Sequence, residues 1–355
     1  MARIAPGQTL YFFHIHFCSS AFDPISKVLK MRQHHDLGGF AEGPVDTSAH
    51  EPSLFDKRVD ALMLLLVAPP NRFFSVDAQR RTQESMAPER YKDLRYYERW
   101  IEAIAALLVE ADKLSQIEID AKIASVAERL TRAYQAADGF GVPEHDHDHA
   151  PIQDDHRLPR EHEILAEAIR ELCIGRGYVT ASKIQNQIDA MESRTPSQGA
   201  NLVARAWTDA AFHGDVLRDA KAAAEAMGID LAGSPAMQAV QNTENVHHMV
   251  VCTLCSCYPR LLLGVPPAWY KSRSYRSRAV VDPRGVLAEF GTILPEAMDI
   301  QVVDSTADLR YVVIPARPSG TKNWSAADLS RLVTRDSMIG VTPALDPSTP
   351  IANAP

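Results

Sequence analysis

The chain has 355 residues, of which 46% are hydrophobic and 23% charged, and this near-average globular usage excludes wholesale disorder and the collagen-like and coiled-coil classes. Its 45 acidic against 37 basic side chains leave a formal charge of −8, which argues against nucleic-acid binding through bulk positive charge and confines any basic site to a local pocket. The apolar run Leu10 to Phe17 is broken by His14 and His16 and falls well short of the roughly 18 residues of a membrane helix. With no basic leader followed by a long apolar stretch at the start, the expectation is a cytoplasmic protein that does not enter a membrane.

Taken in order, residues 1–30 read as an extension or an over-long start, because Met31-Arg-Gln-His-His-Asp-Leu-Gly-Gly39 looks like the opening of a domain. From Asp60 the spacing of Ala61, Leu64 and Leu65 predicts a helix. A second is expected over Pro88 to Ala111 with Tyr97, Ile101, Ile104, Leu107 and Leu108 as its stripe, and a third ends over Thr131 to Ala137. Gly139-Phe-Gly-Val-Pro-Glu-His-Asp-His-Asp-His-Ala-Pro151 then reads as a linker. Helices are expected over Glu161 to Gly175, over Ser182 to Glu192 with Ser182 as cap, over Asn201 to Phe212 and over Val216 to Met227. Beyond Gly228 come short β-branched runs at Met249 to Thr253, Ile300 to Val303 and Tyr311 to Ile314. The fold expected is α+β: a helical domain over 31–138, a His/Asp-rich linker over 139–160, a second domain over 161–345 with a helical arm and a mixed core, and a tail over 346–355.

Five cysteines, an odd number with three crowded into six residues, do not make a disulfide framework. Cys18 and Cys173 are isolated and read as small hydrophobes. Cys252-Thr-Leu-Cys-Ser-Cys257 is different: sulfurs at i, i+3 and i+5 converge only on a tight turn, which also brings the amide nitrogens of Ser256 and Cys257 to the same point. Sulfurs and deprotonated amides give a strong square-pyramidal donor field suited to a trivalent transition metal, with one position open for water or substrate. A structural zinc site, with His247 or His248 as a further ligand, and half of an iron–sulfur site are the alternatives.

Val251-Cys-Thr-Leu-Cys-Ser-Cys-Tyr-Pro259 resembles the metal-binding motif of the nitrile hydratase α subunit and of the thiocyanate hydrolase γ subunit. The resemblance continues through Val203-Ala-Arg-Ala-Trp207, Pro267-Ala-Trp-Tyr-Lys271, Val286-Leu-Ala-Glu-Phe-Gly291, Asp304-Ser-Thr306, Arg310-Tyr311, Arg317-Pro318 and Val333-Thr-Arg-Asp-Ser-Met-Ile-Gly340. Earlier in the chain, His35-Asp-Leu-Gly-Gly39, Gly43-Pro-Val45, Phe74-Ser-Val-Asp77 and Tyr96-Tyr-Glu98 resemble the helical half of the nitrile hydratase β subunit, which in thiocyanate hydrolase is a separate β subunit. The chain is therefore identified as a fusion of the two.

The resemblance implies that Cys252, Cys255 and Cys257 ligate through sulfur and Ser256 and Cys257 through backbone nitrogen. It implies that Cys255 is oxidised to the sulfinate and Cys257 to the sulfenate. It implies Co3+ in preference to Fe3+, since Thr253 is the residue of the cobalt members. Arg80, followed by Arg81, aligns with arginines that donate to the sulfur oxygens, and Tyr91 aligns with a tyrosine of the pocket. The sulfenate oxygen of Cys257 is then a candidate nucleophile or base beside a Lewis-acidic ion.

Arg260 stands where nitrile hydratases commonly carry tryptophan, and it is the thiocyanate hydrolase form. A guanidinium there suits an anion and, with Arg80 and Arg81, would make a positive pocket, so thiocyanate, hydrolysed to carbonyl sulfide and ammonia, leads over an organic nitrile hydrated to its amide. Leu261 and Gly233 depart from the family pattern and bear on pocket shape. The segment between Asp138 and Arg160 is too short to encode the small β-barrel of the nitrile hydratase β subunit. A separate barrel subunit in a hetero-oligomer, with an activator chaperone, is expected. A metal-storage or maturation protein, using His145, His147, His149 and His156 to handle cobalt, is the alternative that keeps the fold without the catalysis.

Overall fold

The computed structural model describes residues 33–48, 50–138 and 158–348. The expected extension over 1–30, nearly all of the His/Asp linker and the end of the tail lie outside the described residues. The described residues from His34 onward form one compact unit.

Its helical half begins with α1 (Leu54–Val67), opened by a capping box between Ser53 and Asp56, then α2 (Val76–Glu84), capped by Ser75. The single helix expected over Pro88 to Ala111 is two, α3 (Pro88–Asp93) and α4 (Tyr96–Glu110). The break at Leu94–Arg95 is stabilised from both sides. The Glu98 carboxylate accepts from Arg95 N at 2.8 Å, and the Arg99 guanidinium donates to the carbonyls of Tyr91 and Leu94 at 2.9 and 2.8 Å. The long α5 (Gln116–Asp138) follows.

After the linker come α6 (Glu161–Gly175) and α7 (Ala181–Glu192), the latter capped by Thr180 where Ser182 was expected. Next, α8 (Ser197–Thr208), α9 (Ala210–Arg218) and α10 (Ala220–Ala226) replace the two helices expected over 201–227. Asp209 and Asp219 end one helix and cap the next, because a short carboxylate competes for backbone N–H groups. Among the described residues four strands form two parallel pairs: β1 (Ala236–Gln241) with β4 (Leu309–Ile314), and β2 (Val246–Val251) with β3 (Asp299–Asp304). β1 was not anticipated, since Ala236-Met-Gln-Ala-Val-Gln241 holds a single β-branched residue. The α+β class thus holds, with an N-terminal helical region before an α-subunit-like part.

The hydrophobic cores do not divide at the linker. Val59, Leu62 and Leu66 of α1 and Ile101, Ile104 and Leu108 of α4 pack with Ile169 of α6 and Ile184 and Ile188 of α7. The arm over 161–192 therefore completes the core of the helical half. Conversely, Val45 joins the second core, built from Leu202, Met249, Val250, Trp269, Tyr275, Val313 and Met338. This interlocking ties the two halves across the site described next.

One backbone contact anchors the second core. Gly340 has φ +83°, and a Cβ there would lie 2.0 Å from the His248 carbonyl oxygen and 3.2 Å from Met249 Cα. Neither is a side chain that could give way. Gly340→Ala is expected to cost about 3 kcal/mol or more, from the left-handed backbone and the overlap together. Thermal denaturation against wild type checks this, and a loss below about 1 kcal/mol would contradict it.

Candidate metal centre

β2 leads directly into Cys252, and its last residue, Val251, is in register with Asp304 at the end of β3. That register brings the Asp304 carboxylate beside the turn, where it accepts from Thr253 N at 3.1 Å and Thr253 Oγ1 at 2.6 Å. From the opposite side the Arg276 guanidinium, only 1% exposed, donates to the carbonyls of Cys252 and Thr253, both at 3.0 Å. Tyr270 Oη donates to the Cys257 carbonyl at 2.7 Å. The His35–Gly39 segment lies against the turn: Leu37 N donates to the Thr253 carbonyl at 3.2 Å. Gly38 permits the approach, because a Cβ there would meet Thr253 Cγ2 at 2.9 Å.

These bonds hold the backbone of the turn and leave the sulfurs free to face one another. Cys252 Sγ is 3.7 Å from Cys255 Sγ, which is 3.2 Å from Cys257 Sγ, and all three lie within 4.8 Å of one another. Ser256 has φ +74°, uncommon for a residue with a Cβ, and this reversal lets sulfurs at i, i+3 and i+5 converge. Ser256 Oγ is held by Tyr96 Oη at 2.9 Å and by the Cys255 carbonyl. A soft, crowded, largely buried thiol cluster of this kind fits a thiophilic transition metal. Among the described residues no histidine, carboxylate or further cysteine joins the three sulfurs. His247 and His248, the ligands a zinc site would use, are engaged elsewhere: His247 Nε2 with the Gly340 carbonyl at 2.7 Å, and His248 Nδ1 with Asn242 Oδ1 at 3.3 Å.

The cluster favours a shared negative charge. Hydrogen bonds from Cys255 and Cys257 hold the Cys252 thiol well below the usual range against the effect of burial, with Arg276 adding to them. Cys255 is pushed up to about 11 chiefly by its neighbour Cys252, and Cys257 is raised also. Cationic groups stand near this charge.

Arg80 on α2 is one of them. Burial alone would lower its guanidinium, and the facing Cys255 and Cys257 sulfurs, with Asp77 at 3.1 Å, more than reverse this. Arg81 is not brought to the sulfurs: it is exposed and pairs with Glu110 at 3.8 Å, as adjacent residues of a helix project about 100° apart. Arg260 is half-buried, and its Nη1 and Nη2 donate to both oxygens of Asp60 at 3.1 and 3.0 Å. Tyr91 packs edge-on against His34 and under the Arg99 guanidinium, which lies 4.5 Å from its ring centre.

Five residues at the centre were missed as site residues by sequence reasoning: Asp60, Tyr96, Lys271, Arg276 and Asp304. Tyr96, Lys271 and Asp304 lie inside recognised motifs, which was the available signal, whereas Asp60 entered only as the residue from which a helix was expected. Lys271 Nζ sits 4.7 and 5.3 Å from the ring centres of Tyr97 and Tyr96, and burial pulls it down to about 8.

The sequence family described as nitrile hydratase, alpha chain, matches residues 160–342, more than half of the chain, and the N-terminal family of the nitrile hydratase beta subunit matches residues 31–157. The chain belongs to the nitrile hydratase family. It joins in one polypeptide the counterparts of segments from two nitrile hydratase subunits. It is 45% identical over 204 residues to the low-molecular weight cobalt-containing nitrile hydratase subunit alpha of Rhodococcus rhodochrous, covering 56% of this chain and 98% of that one. It is 42% identical over 190 residues to the thiocyanate hydrolase subunit gamma of Thiobacillus thioparus, covering 50% and 78%. Against the nitrile hydratase subunit beta of Pseudomonas putida it is 34% identical over 107 residues, 29% of this chain and 48% of that one. The relatives are subunits of nitrile-hydrating and thiocyanate-hydrolysing enzymes, so the chain is a member of an enzyme family whose chemistry acts on C≡N. Among the described residues no helix is long and apolar enough to cross a membrane.

Proposed function

We propose that the turn Cys252–Cys257 holds one trivalent cobalt ion and that the protein hydrates a C≡N group, with thiocyanate the leading substrate. The convergence of three sulfurs on a turn reversed at Ser256 carries this reading. The ligands are the sulfurs of Cys252, Cys255 and Cys257 and the amide nitrogens of Ser256 and Cys257, and the cobalt relatives and Thr253 favour cobalt over iron. Bound there, the ion supplies Lewis acidity at one open face.

The protein's own groups do the rest. Arg80 faces Cys255 and Cys257, the two sulfurs proposed to carry oxygen as sulfinate and sulfenate, and stabilises that oxidation level by charge-assisted donation. Ser256 and Tyr96 share a hydrogen bond at the mouth of the turn, which orients the Ser256 hydroxyl. Arg80 and Arg260, each beside a carboxylate of its own, Asp77 and Asp60, together with Lys271, are the cationic groups on which a small anion would draw. Thiocyanate and two waters would yield carbonyl sulfide, ammonia and hydroxide.

The bidentate engagement of Arg260 by Asp60 favours the second reading, hydration of a neutral organic nitrile to its amide, because it neutralises the residue on which anion preference rests. Ammonia release from thiocyanate, measured beside amide formation from small nitriles, separates the two. Arg260→Trp is expected to lower kcat/KM for thiocyanate at least about tenfold, the effect of about 1.4 kcal/mol, and to lower nitrile hydration less. Equal losses for both substrates would contradict the anion reading.

We further propose the domain organisation expected above, in a cytoplasmic hetero-oligomer. Its partner is a separate small β-barrel subunit that supplies another arginine to the sulfurs, and an activator chaperone loads the metal. His145, His147, His149 and His156 lie outside the described residues, and their competing roles are a plain linker and cobalt handling. Deleting residues 144–149 is expected to leave cobalt occupancy unchanged.

A further inference from the structure

The Arg260–Asp60 pair joins residues 200 positions apart, one from each half of the fusion. Asp60 lies on α1 with its side chain 4% exposed, and both of its oxygens are used. Oδ1 accepts from Arg260 Nη1, while Oδ2 accepts from Arg260 Nη2 and, at 3.0 Å, from Tyr97 Oη. Tyr97 in turn stands beneath the Lys271 ammonium, and Lys271 also lies over Tyr96, whose hydroxyl meets Ser256 in the metal turn. Asp60 is thus the buried carboxylate of a cationic cluster that reaches the sulfurs. A fixed carboxylate at about 3 Å from a guanidinium cancels most of that guanidinium's attraction for any anion farther away, and in a buried site little water remains to mask the difference.

We propose that Asp60 is a specificity-determining residue of this site: by occupying both Nη groups of Arg260 it sets the charge the site presents, and so sets how neutral and anionic C≡N compounds are ranked. Asp60 does this through Arg260 and touches no reacting atom, which makes it a positioning residue. The inference rests on the C≡N reading above and adds to it the group that decides substrate class.

The test uses the cobalt-loaded protein with its partner subunit and reads equilibrium binding by calorimetry, with thiocyanate and propionitrile as probes and cobalt content measured in parallel. Asp60→Asn keeps the size of the side chain, removes its charge and keeps one of its two acceptor oxygens, the other becoming an NH2 donor. It is expected to tighten thiocyanate binding about tenfold while propionitrile changes less than about twofold. Asp60→Glu retains the charge and is expected to leave the ratio of the two affinities within about twofold of wild type. Should Asp60→Asn fail to take up cobalt, Arg260→Gln is expected to move the ratio the other way by about tenfold or more, since it leaves the carboxylate without its guanidinium. A ratio indifferent to the charge at position 60, or one shifted alike by Asn and Glu, overturns the assignment while leaving the C≡N reading intact. A wild-type protein that binds neither probe removes both.

Discussion

Cys257→Ser is expected to bring cobalt content from one ion per chain to below about a tenth and to lower turnover of any C≡N substrate by about 1,000-fold or more, equivalent to about 4 kcal/mol. The thiol of Cys257 lies 3.2 Å from that of Cys255 and completes the cluster of three. A hydroxyl is a harder, far weaker acid than a thiol, so it neither ionises at neutral pH nor matches a thiophilic ion. The fold should survive the change. The turn is held through backbone groups, by Tyr270 on the Cys257 carbonyl, Arg276 on the Cys252 and Thr253 carbonyls and Leu37 on the latter. Retained helical circular dichroism with lost cobalt is the expected pair of observations. Full cobalt loading in the variant would show that the ion is held elsewhere.

Arg276→Met should be the most destabilising single change near the centre. The guanidinium is fully enclosed and donates to two carbonyls of the turn. It also helps to hold the Cys252 thiol in its charged form. Methionine fills much of the volume but leaves both carbonyls without these donors, at about 1–3 kcal/mol each, and leaves the cluster without its nearest enclosed cation. A total loss of about 3–5 kcal/mol corresponds to a fall in Tm of roughly 4–7 °C for a chain of this size. Arg276→Lys keeps the charge but lacks the planar fork needed to span two carbonyls, and should lose about half as much. Differential scanning calorimetry of the three proteins checks the order, and a Met variant within about 1 kcal/mol of wild type would refute the positioning role.

The contrast between these residues shows what was legible in the sequence. The sulfur turn was readable because its information is local: three cysteines within six residues specify a convergence that long-range folding only has to tolerate. Arg80 was reachable through the flanking motif Phe74-Ser-Val-Asp77, and the structure turns it toward Cys255 and Cys257. Arg81 shared the motif yet faces Glu110, because helix geometry separates neighbours that sequence keeps together. The pairing of Arg260 was out of reach, since its partner Asp60 lies 200 residues earlier and no local pattern marks it.

The same reasoning applies to the fold. Helices with long apolar stripes were found nearly to the residue, as at Glu161–Gly175. Breaks made by single competing side chains were not. Asp209, Asp219 and Arg99 each satisfy backbone groups that a continuous helix would have paired internally, and apolar periodicity is blind to that competition. The placement of α6 and α7 in the core of the helical half was equally hidden, because an apolar stripe says that a helix packs and not against what.

Elemental analysis of the protein, co-produced with its genomic neighbours in medium replete in cobalt, iron and zinc, tests the central claim most directly. One cobalt per chain, trivalent by X-ray absorption and with mixed sulfur and nitrogen donors, is the predicted result. Zinc alone at the three sulfurs, or protein that binds no metal, would contradict it.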